Sequence, residues 1–482
     1  MKNIKFLIVA LAGSIFISCD TEEFLNPLPD TVVVVDTFFE TDADVLAGVI
    51  GVYDALQGVN ENTETNIGDF NRGVQFEHLL TEHRTDNTRN ATLEGSKSDF
   101  HRYVVTANNV ESEDYYQSMY EVIFRVNNVL NFMDVADDSN RAKYTAEVKF
   151  LRAYAYFNLV RLFGDVPLVT TVLGPEEDQA LFTRIDSDLI YEQIIEDLLE
   201  AANTLDNTYK SRASQAAAQA LLAKVYLTQG TNYVAAQQLC ESIIGGQYSL
   251  QSNYYDVFYN ELNNEIIFAI QYLSGDANES QSFSSEFTSG VRAGREDGQN
   301  IVNDNLIADF NMYGGIRTDI SYTTVLGSNE VAKFLPDGFD ANASPTPYGP
   351  NARNAGNDYI AIRYADVLLM HVEAIMGQSS ETSNSNALNS FKEVRDRAFP
   401  DTAPNIVTSV TKEELLRERR VEFAFENQRY FDLVRFGVLD AVLSAHSDEM
   451  GYVYDPRKAL LLPIPAREIN LSGGLLTQNP GY

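Results

Sequence analysis

The sequence predicts a mostly α-helical protein in which pairs of helices stack in series around one irregular, loop-rich insertion. Three observations predict it. Hydrophobic residues make up 44% of the 482-residue chain, enough for a large folded core. Apolar residues recur at three- and four-residue spacing through most of the chain, the period of a helix with one buried face. Between about 246 and 360 that period fails and Gly, Ser, Asn and Asp become dense.

The elements follow in order. Lys2 and Lys5 precede an apolar run from Phe6 to Ile17, too short to remain in a bilayer as a span, so 1–18 reads as a cleavable leader. Ser18 is the small residue before the cut and Cys19 follows at once. The order resembles a bacterial lipoprotein signal, with Cys19 carrying palmitate-type acyl chains; the alternative is an ordinary secretory leader with an incidental cysteine. Residues 19–40 are an acidic entry segment beginning Asp20, Thr21, Glu22, Glu23. In 42–58, Leu46, Val49, Ile50, Tyr53 and Leu56 share one helical face. The same period recurs in 114–133, 145–163, 187–205, 212–229, 234–245, 361–377, 386–398 and 411–426. Short polar or glycine turns join several of these, which implies antiparallel pairs.

In "ALLAKVYLTQGTNYVAAQQLCESII", Leu222, Ala223, Tyr226, Gly230, Tyr233 and Ala236 resemble a tetratricopeptide repeat, with one extra residue in the turn. "NEIIFAIQYLSG" alternates as a short strand does. A single domain over 41–482 is expected: helical pairs in 41–245, the insertion in 246–360, helical pairs again in 361–440, and an apolar tail in 441–482 packed back on the helices.

Charge excludes several functions. The chain has 35 Lys plus Arg against 69 Asp plus Glu, a net −34, and loss of the leader removes two more lysines. Such a surface repels phosphate backbones, so nucleic acid is not a partner, and polyanions and anionic lipid are equally disfavoured. With Cys19 in the anchor, Cys240 has no partner for a disulfide and is expected to be a buried thiol beside Leu239, Ile243 and Ile244.

Four stretches carry the most specific signal: "AEVKFLRAYAYFNLVRLFGDVPLV" (146–169), "EIIFAIQY" (265–272), "IAIRYADVLLMHVEA" (360–374) and "EELLRERRVEFAFENQRYFDLVRFG" (413–437), followed by "LLPIPAREIN" and "QNPGY". Physically, Val148, Leu151, Ala155, Leu159 and Leu162 form an apolar stripe that Gly164 and Pro167 terminate. The alternating charges Glu418, Arg419, Arg420, Glu422, Glu426, Arg429, Asp432 and Arg435 predict interhelical salt bridges among packed phenylalanines, not catalysis. In this order, after a lipoprotein leader, the stretches resemble the SusD/RagB family of Bacteroidetes outer-membrane lipoproteins.

The resemblance implies a non-enzymatic, cell-surface protein that captures a nutrient, usually a glycan, for a SusC-like TonB-dependent transporter. It leaves peptide or glycopeptide capture open, as in the RagB branch. It also implies export to the outer face of the outer membrane through the lipid anchor on Cys19 and its acidic neighbours. Ligand sites in such proteins are built from an early loop and the irregular middle. Here the early loop is 81–103, where Arg84, Asp86, Asn87 and Arg89 offer donors and acceptors suited to vicinal hydroxyls or peptide groups; the alternative is a solvated loop capping its own turns. The chain has no Trp, so a sugar-stacking platform would fall to tyrosine, with Tyr116, Tyr272 and Tyr313 as candidates beside Tyr255 and Tyr322. Tyr116 stands where the family commonly has Trp, before the pattern of Tyr120, Ile123 and Asn127.

Motifs for catalysis are absent: no HExxH, no GxSxG, no phosphate loop and no Rossmann glycines. "DGFDANAS" offers oxygens to calcium but not in EF-hand order, so no metal or cofactor is assigned. A surface glycosidase and a scaffold that binds only proteins are the competing readings, each opposed by the missing motifs or by the long insertion.

Overall fold

The computed structural model describes residues 38–58, 71–174, 178–276, 278–288, 300–325, 327–335, 354–402 and 407–482. The leader, Cys19, most of the acidic entry segment and "DGFDANAS" lie outside the described residues.

The helices are α1 (Asp42–Gln57), α2 (Gly73–Thr81), α3 (Val110–Asn131), α4 (Asp138–Phe163), α5 (Ser187–Thr204), α6 (Gln215–Gln229) and α7 (Tyr233–Ile244). After these come α8 (Tyr254–Tyr259), α9 (Asp304–Asp309), α10 (Tyr364–Met376), α11 (Ser385–Ala398), α12 (Lys412–Glu422), α13 (Arg429–Arg435) and α14 (Leu439–Met450). Local chemistry sets their ends. Thr41 with Asp44 and Thr411 with Glu414 form capping boxes at α1 and α12, and Ser214 caps α6. Gly230 closes α6 in the left-handed conformation at φ 65°, and after Asn232 (φ 49°) the chain turns into α7.

Each long helix packs on its successor from α3 through α7, and α10 then takes the next place against α7 before α11 packs on α10. The segment between α7 and α10 is thus an insertion into a continuing series of helix pairs. Alanine-rich α6 is buried along Ala216–Ala218 and Ala220–Leu227, where small side chains let its neighbours approach closely. Cys240 is fully buried, and burial raises its thiol pKa, as expected of a structural thiol.

Among the described residues, three small antiparallel sheets complete the fold. The largest has the order β1 (Thr88–Arg89), β3 (Ile301–Val302), β5 (Ser328–Val331), β4 (Tyr322–Val325). Its register sets Thr88 opposite Val302 and Arg89 opposite Ile301, so the early segment and the insertion share one sheet. β2 (Ile266–Ile270) pairs with β6 (Tyr359–Arg363), and β7 (Glu381–Thr382) with β8 (Val410–Thr411).

Several helix boundaries differ from the sequence expectation, α4 starting at Asp138 instead of 145, and two of them have a visible cause. Residues 361–363 are strand, because the fully buried run Tyr359–Arg363 pairs with β2 before α10 begins. The helix expected to 426 stops at Glu422, and Phe425 and Asn427 adopt positive φ of 70° and 58°. Buried donors compete for the carbonyls there: the Glu422 carbonyl accepts from Arg363 Nη2 (2.8 Å) and Tyr254 Oη (2.7 Å), and that of Ala424 accepts from Lys333 Nζ (2.9 Å).

Hydrogen bonds fasten the tail to α4. Asn479 Nδ2 donates to the carbonyls of Phe163 (2.8 Å) and Leu462 (2.7 Å). One glycine in the insertion is sterically required: Gly315 has φ 56°, and a Cβ there would lie 2.0 Å from the Ala398 carbonyl oxygen. Gly315→Ala is expected to cost more than about 2 kcal/mol in urea unfolding, combining backbone strain with that clash.

Candidate functional site

The four-stranded sheet and the end of α14 enclose a polar cavity of about 420 Å³. β1 contributes Arg89, the chain after β3 contributes Asn303 and Asn305, the β4–β5 hairpin contributes Ser328 and Asn329, and α14 contributes His446 and Glu449. Neighbouring groups hold the amides in place. Asn303 Nδ2 donates to the Asp86 carbonyl (3.3 Å), Arg420 Nη2 donates to Asn305 Oδ1 (3.1 Å), and Thr324 Oγ1 donates to Asn329 Oδ1 (2.7 Å). The Asn329 amide nitrogen is therefore left as a donor. His446 is buried, its Nδ1 has no hydrogen-bond partner, and burial lowers its pKa.

The sequence-predicted residues separate into different roles. Arg89 alone among the four of the early loop lines this cavity. Arg84, Asp86 and Asn87 are buried and committed to the protein. Arg84 Nη2 donates to the Ala459 carbonyl (2.6 Å) and its guanidinium lies over the Tyr430 ring. Asp86 accepts from Arg429 Nε (2.9 Å) and pairs with Arg420 Nη2 (2.9 Å), and these cations hold its carboxyl far below the usual carboxylate range against the opposing effect of burial. Asn87 bridges Glu82 Oε1 (2.7 Å) and Arg420 Nε (2.9 Å). The segment is a buried floor beneath the cavity, not a solvated loop.

The tyrosines are dispersed. Tyr116 is buried on α3 and lines a second, more apolar groove of about 380 Å³ with Tyr120, Phe124, Val172 and Leu181. Beside it, Tyr120 Oη donates to the Pro167 carbonyl (2.7 Å) and Asn127 Nδ2 to that of Val169 (3.0 Å), so the Tyr120–Ile123–Asn127 pattern fastens the chain after α4. Tyr272 is buried against Phe283, its amide donating to Asp358 (3.1 Å). Tyr313 is half-buried under the Arg417 guanidinium, 4.8 Å from its ring centre.

The alternating charges of α12 form a buried ionic lattice, as their pattern predicts. Glu422 receives Arg317 (2.8 Å), Arg363 (2.6 Å) and Arg397. Glu426 receives Lys333 (2.8 Å) and Arg363 (2.7 Å). Arg419 spans Asp366 and Asp432, both at 2.8 Å. Arg420 joins Asp86 to Asp309 (2.6 Å). One helix thereby ties the early segment, the insertion and α10 together, which fixes the walls of the cavity relative to each other.

Histidines lie beneath the cavity. The rings of His78 and His83 are 5.3 Å apart, and those of His83 and His101 6.4 Å. Burial first, with Arg89 and Arg102 adding for His101, lowers the pKa of His78 to about 4 and of His101 to about 3. Both folded values lie below the 6.5 of a free imidazole, so their contribution to stability is whole above pH 6.5 and is lost as the pH falls toward 4 and 3. Glu82 acts with the opposite sign: burial raises it to about 7, so it stabilises the fold while protonated and ceases to as the pH rises through 7. Glu82→Gln is therefore expected to lose about 1 kcal/mol less than the wild type between pH 6 and 8 in urea denaturation. Equal slopes would mean that Glu82 is already ionised at pH 6.

Sequence reasoning missed Asn303, Asn305, Ser328, Asn329 and His446. The asparagines and the serine were visible only as loop composition, and His446 lies far along the chain with no local pattern to single it out. Among the described residues there is no cluster of ligating side chains suited to a metal ion, and no helix long and apolar enough to cross a membrane.

Comparison with known proteins agrees with the fold. The family model described as "SusD family" matches residues 331–482, and one described as "Starch-binding associating with outer membrane" matches 24–227. The chain is 26% identical to "SusD-like protein P2" of Formosa agariphila over the full length of both. Among solved structures it is similar to a "Laminarin binding SusD-like protein", at 26% identity and TM-score 0.74, covering 92% of this chain and 100% of that one. A "Surface glycan-binding protein A" of Bacteroides thetaiotaomicron in complex with laminarihexaose shares the fold, at 21% identity and TM-score 0.73, covering 91% of this chain and 99% of that one. Two family models at opposite ends of the chain, with a SusD-like relative matching its full length, support assignment of the chain to the SusD/RagB family.

Proposed function

We propose that the chain is a non-catalytic capture protein that holds an oligosaccharide in the cavity between the four-stranded sheet and α14. The observation that carries this reading is the lining: amide, hydroxyl and guanidinium groups on converging elements, three of them oriented by bonds from outside the cavity. Such donors and acceptors at fixed positions match the hydroxyls of a sugar ring. The names of the laminarin-binding relative and of the laminarihexaose complex support a saccharide as the ligand.

In this reading Cys19 carries the lipid anchor, the acidic residues after it direct the protein to the outer face of the outer membrane, and the captured saccharide passes to a SusC-like TonB-dependent transporter. The description of the model matched at 24–227 supports an association with the outer membrane. A glycan and peptide array probed with the chain from residue 20 onward tests the ligand class. Oligosaccharide binding without new reducing ends is expected. Binding of peptides alone would replace the saccharide, and new reducing ends would make the protein a hydrolase.

A further inference from the structure

The cavity contains a cation without an anion. Arg89 Nη1 donates only to the neighbouring Asn90 carbonyl (3.3 Å), and among the described residues no carboxylate pairs with it. Two acids behind the wall are already engaged: Asp86 holds Arg420 and Arg429, and Asp309 holds Arg420. Arg102, in the same early segment, donates to the Leu93 carbonyl (2.6 Å) and likewise has no carboxylate partner among the described residues. In a chain of net charge −34, where α12 pairs its arginines several times over, an unpaired guanidinium on a cavity wall is a local exception.

Two acids also line the cavity, and neither neutralises Arg89. Asp304 lies in the first turn of α9, and the Glu449 side chain is 57% exposed and lies 4.0 Å from His446 Nδ1. Asn329 and Ser328 on the same sheet, and the His446 Nδ1 without a hydrogen-bond partner, supply neutral polar groups.

Resting on the saccharide reading above, we propose that the cavity takes a sugar bearing a single acidic group, a uronic carboxylate or a sulfate ester, and that Arg89 receives that group. A guanidinium matches both anions through paired N–H donors. The net charge of the chain disfavours a polyanion over its length, but screening confines such repulsion to about 8 Å at physiological ionic strength. One anion seated on Arg89 meets that cation directly, whereas Asp304 and Glu449 on the same cavity oppose a second.

Ligand-observed NMR at pH 7 with glucuronate, galacturonate and galactose 6-sulfate, against glucose and galactose, tests the assignment. The acidic sugars are expected to bind about tenfold more tightly than the neutral ones. Arg89→Gln brings that ratio to about one, whereas Arg89→Lys retains part of it. The acid that shows the larger preference identifies carboxylate or sulfate as the group. Acidic sugars held no better than neutral ones, including no binding by either, or a preference that survives in Arg89→Gln, would overturn the proposal. Ser328→Trp, which fills the cavity, separates the two levels of inference: sugar binding that persists in this variant removes the cavity itself as the site. Binding lost in Ser328→Trp but indifferent to acid removes only the role of Arg89.

Discussion

Glu422→Ala is expected to cost about 3–5 kcal/mol of stability, the largest effect of any single carboxylate in the chain. Its side chain receives guanidinium groups from Arg317, Arg363 and Arg397, all buried, and removal leaves three cations sharing fewer anions where water cannot replace them. Glu413, on the same helix but with its side chain 83% exposed, is the matched comparison, and Glu413→Ala is expected to change stability by less than about 0.5 kcal/mol. Urea denaturation at pH 7 reads both. The arginines hold the Glu422 carboxyl well below the usual carboxylate range, although burial opposes them. Its contribution is therefore complete above the unfolded value near 4.5 and is lost as the pH falls, so Glu422→Ala should also flatten the acid limb of the stability curve. Losses as small as that of Glu413→Ala would mean that the lattice is worth no more than surface pairs.

The second large effect distinguishes scaffold from ligand contact. Asp86→Ala is expected to lose about 3 kcal/mol or more, because Arg420 and Arg429 both lean on its carboxylate from within the protein. Arg89→Ala, three residues on, is expected to cost less than about 0.5 kcal/mol, since its side chain makes one backbone hydrogen bond, yet to weaken sugar binding about tenfold or more. Unfolding curves and calorimetric titration of the two variants form a crossed pair. An Asp86→Ala protein of wild-type stability that no longer bound sugar would place Asp86 at the ligand instead of beneath it.

These two residues show what was legible in the sequence. The helix pairs were, because a stripe such as Val148, Leu151, Ala155 and Leu159 follows from helical geometry alone, and all four side chains are buried. The α12 charges were legible as ion pairs because their alternation among phenylalanines has no other low-energy arrangement. Their partners were not: Arg317, Lys333 and Arg363 lie far away along the chain, and only tertiary structure brings them to Glu422 and Glu426.

The site was half legible for the same reason. The expectation that early and middle segments meet is matched by the pairing of β1 with β3, yet composition alone could not separate Arg89 from Arg84, Asp86 and Asn87. All four are polar residues in a polar stretch. Burial divides them, and burial here is decided by Arg420, Arg429 and Ala459, more than three hundred residues later. His446 joins the cavity across the same distance.

The most direct test of the account is a crystal structure of the protein with an oligosaccharide selected on the array. The account predicts a sugar ring in the cavity, within hydrogen-bond distance of Arg89 and Asn329 and bounded by His446. A sugar bound instead in the groove of Tyr116 and Phe124, with the cavity left to solvent, would contradict it.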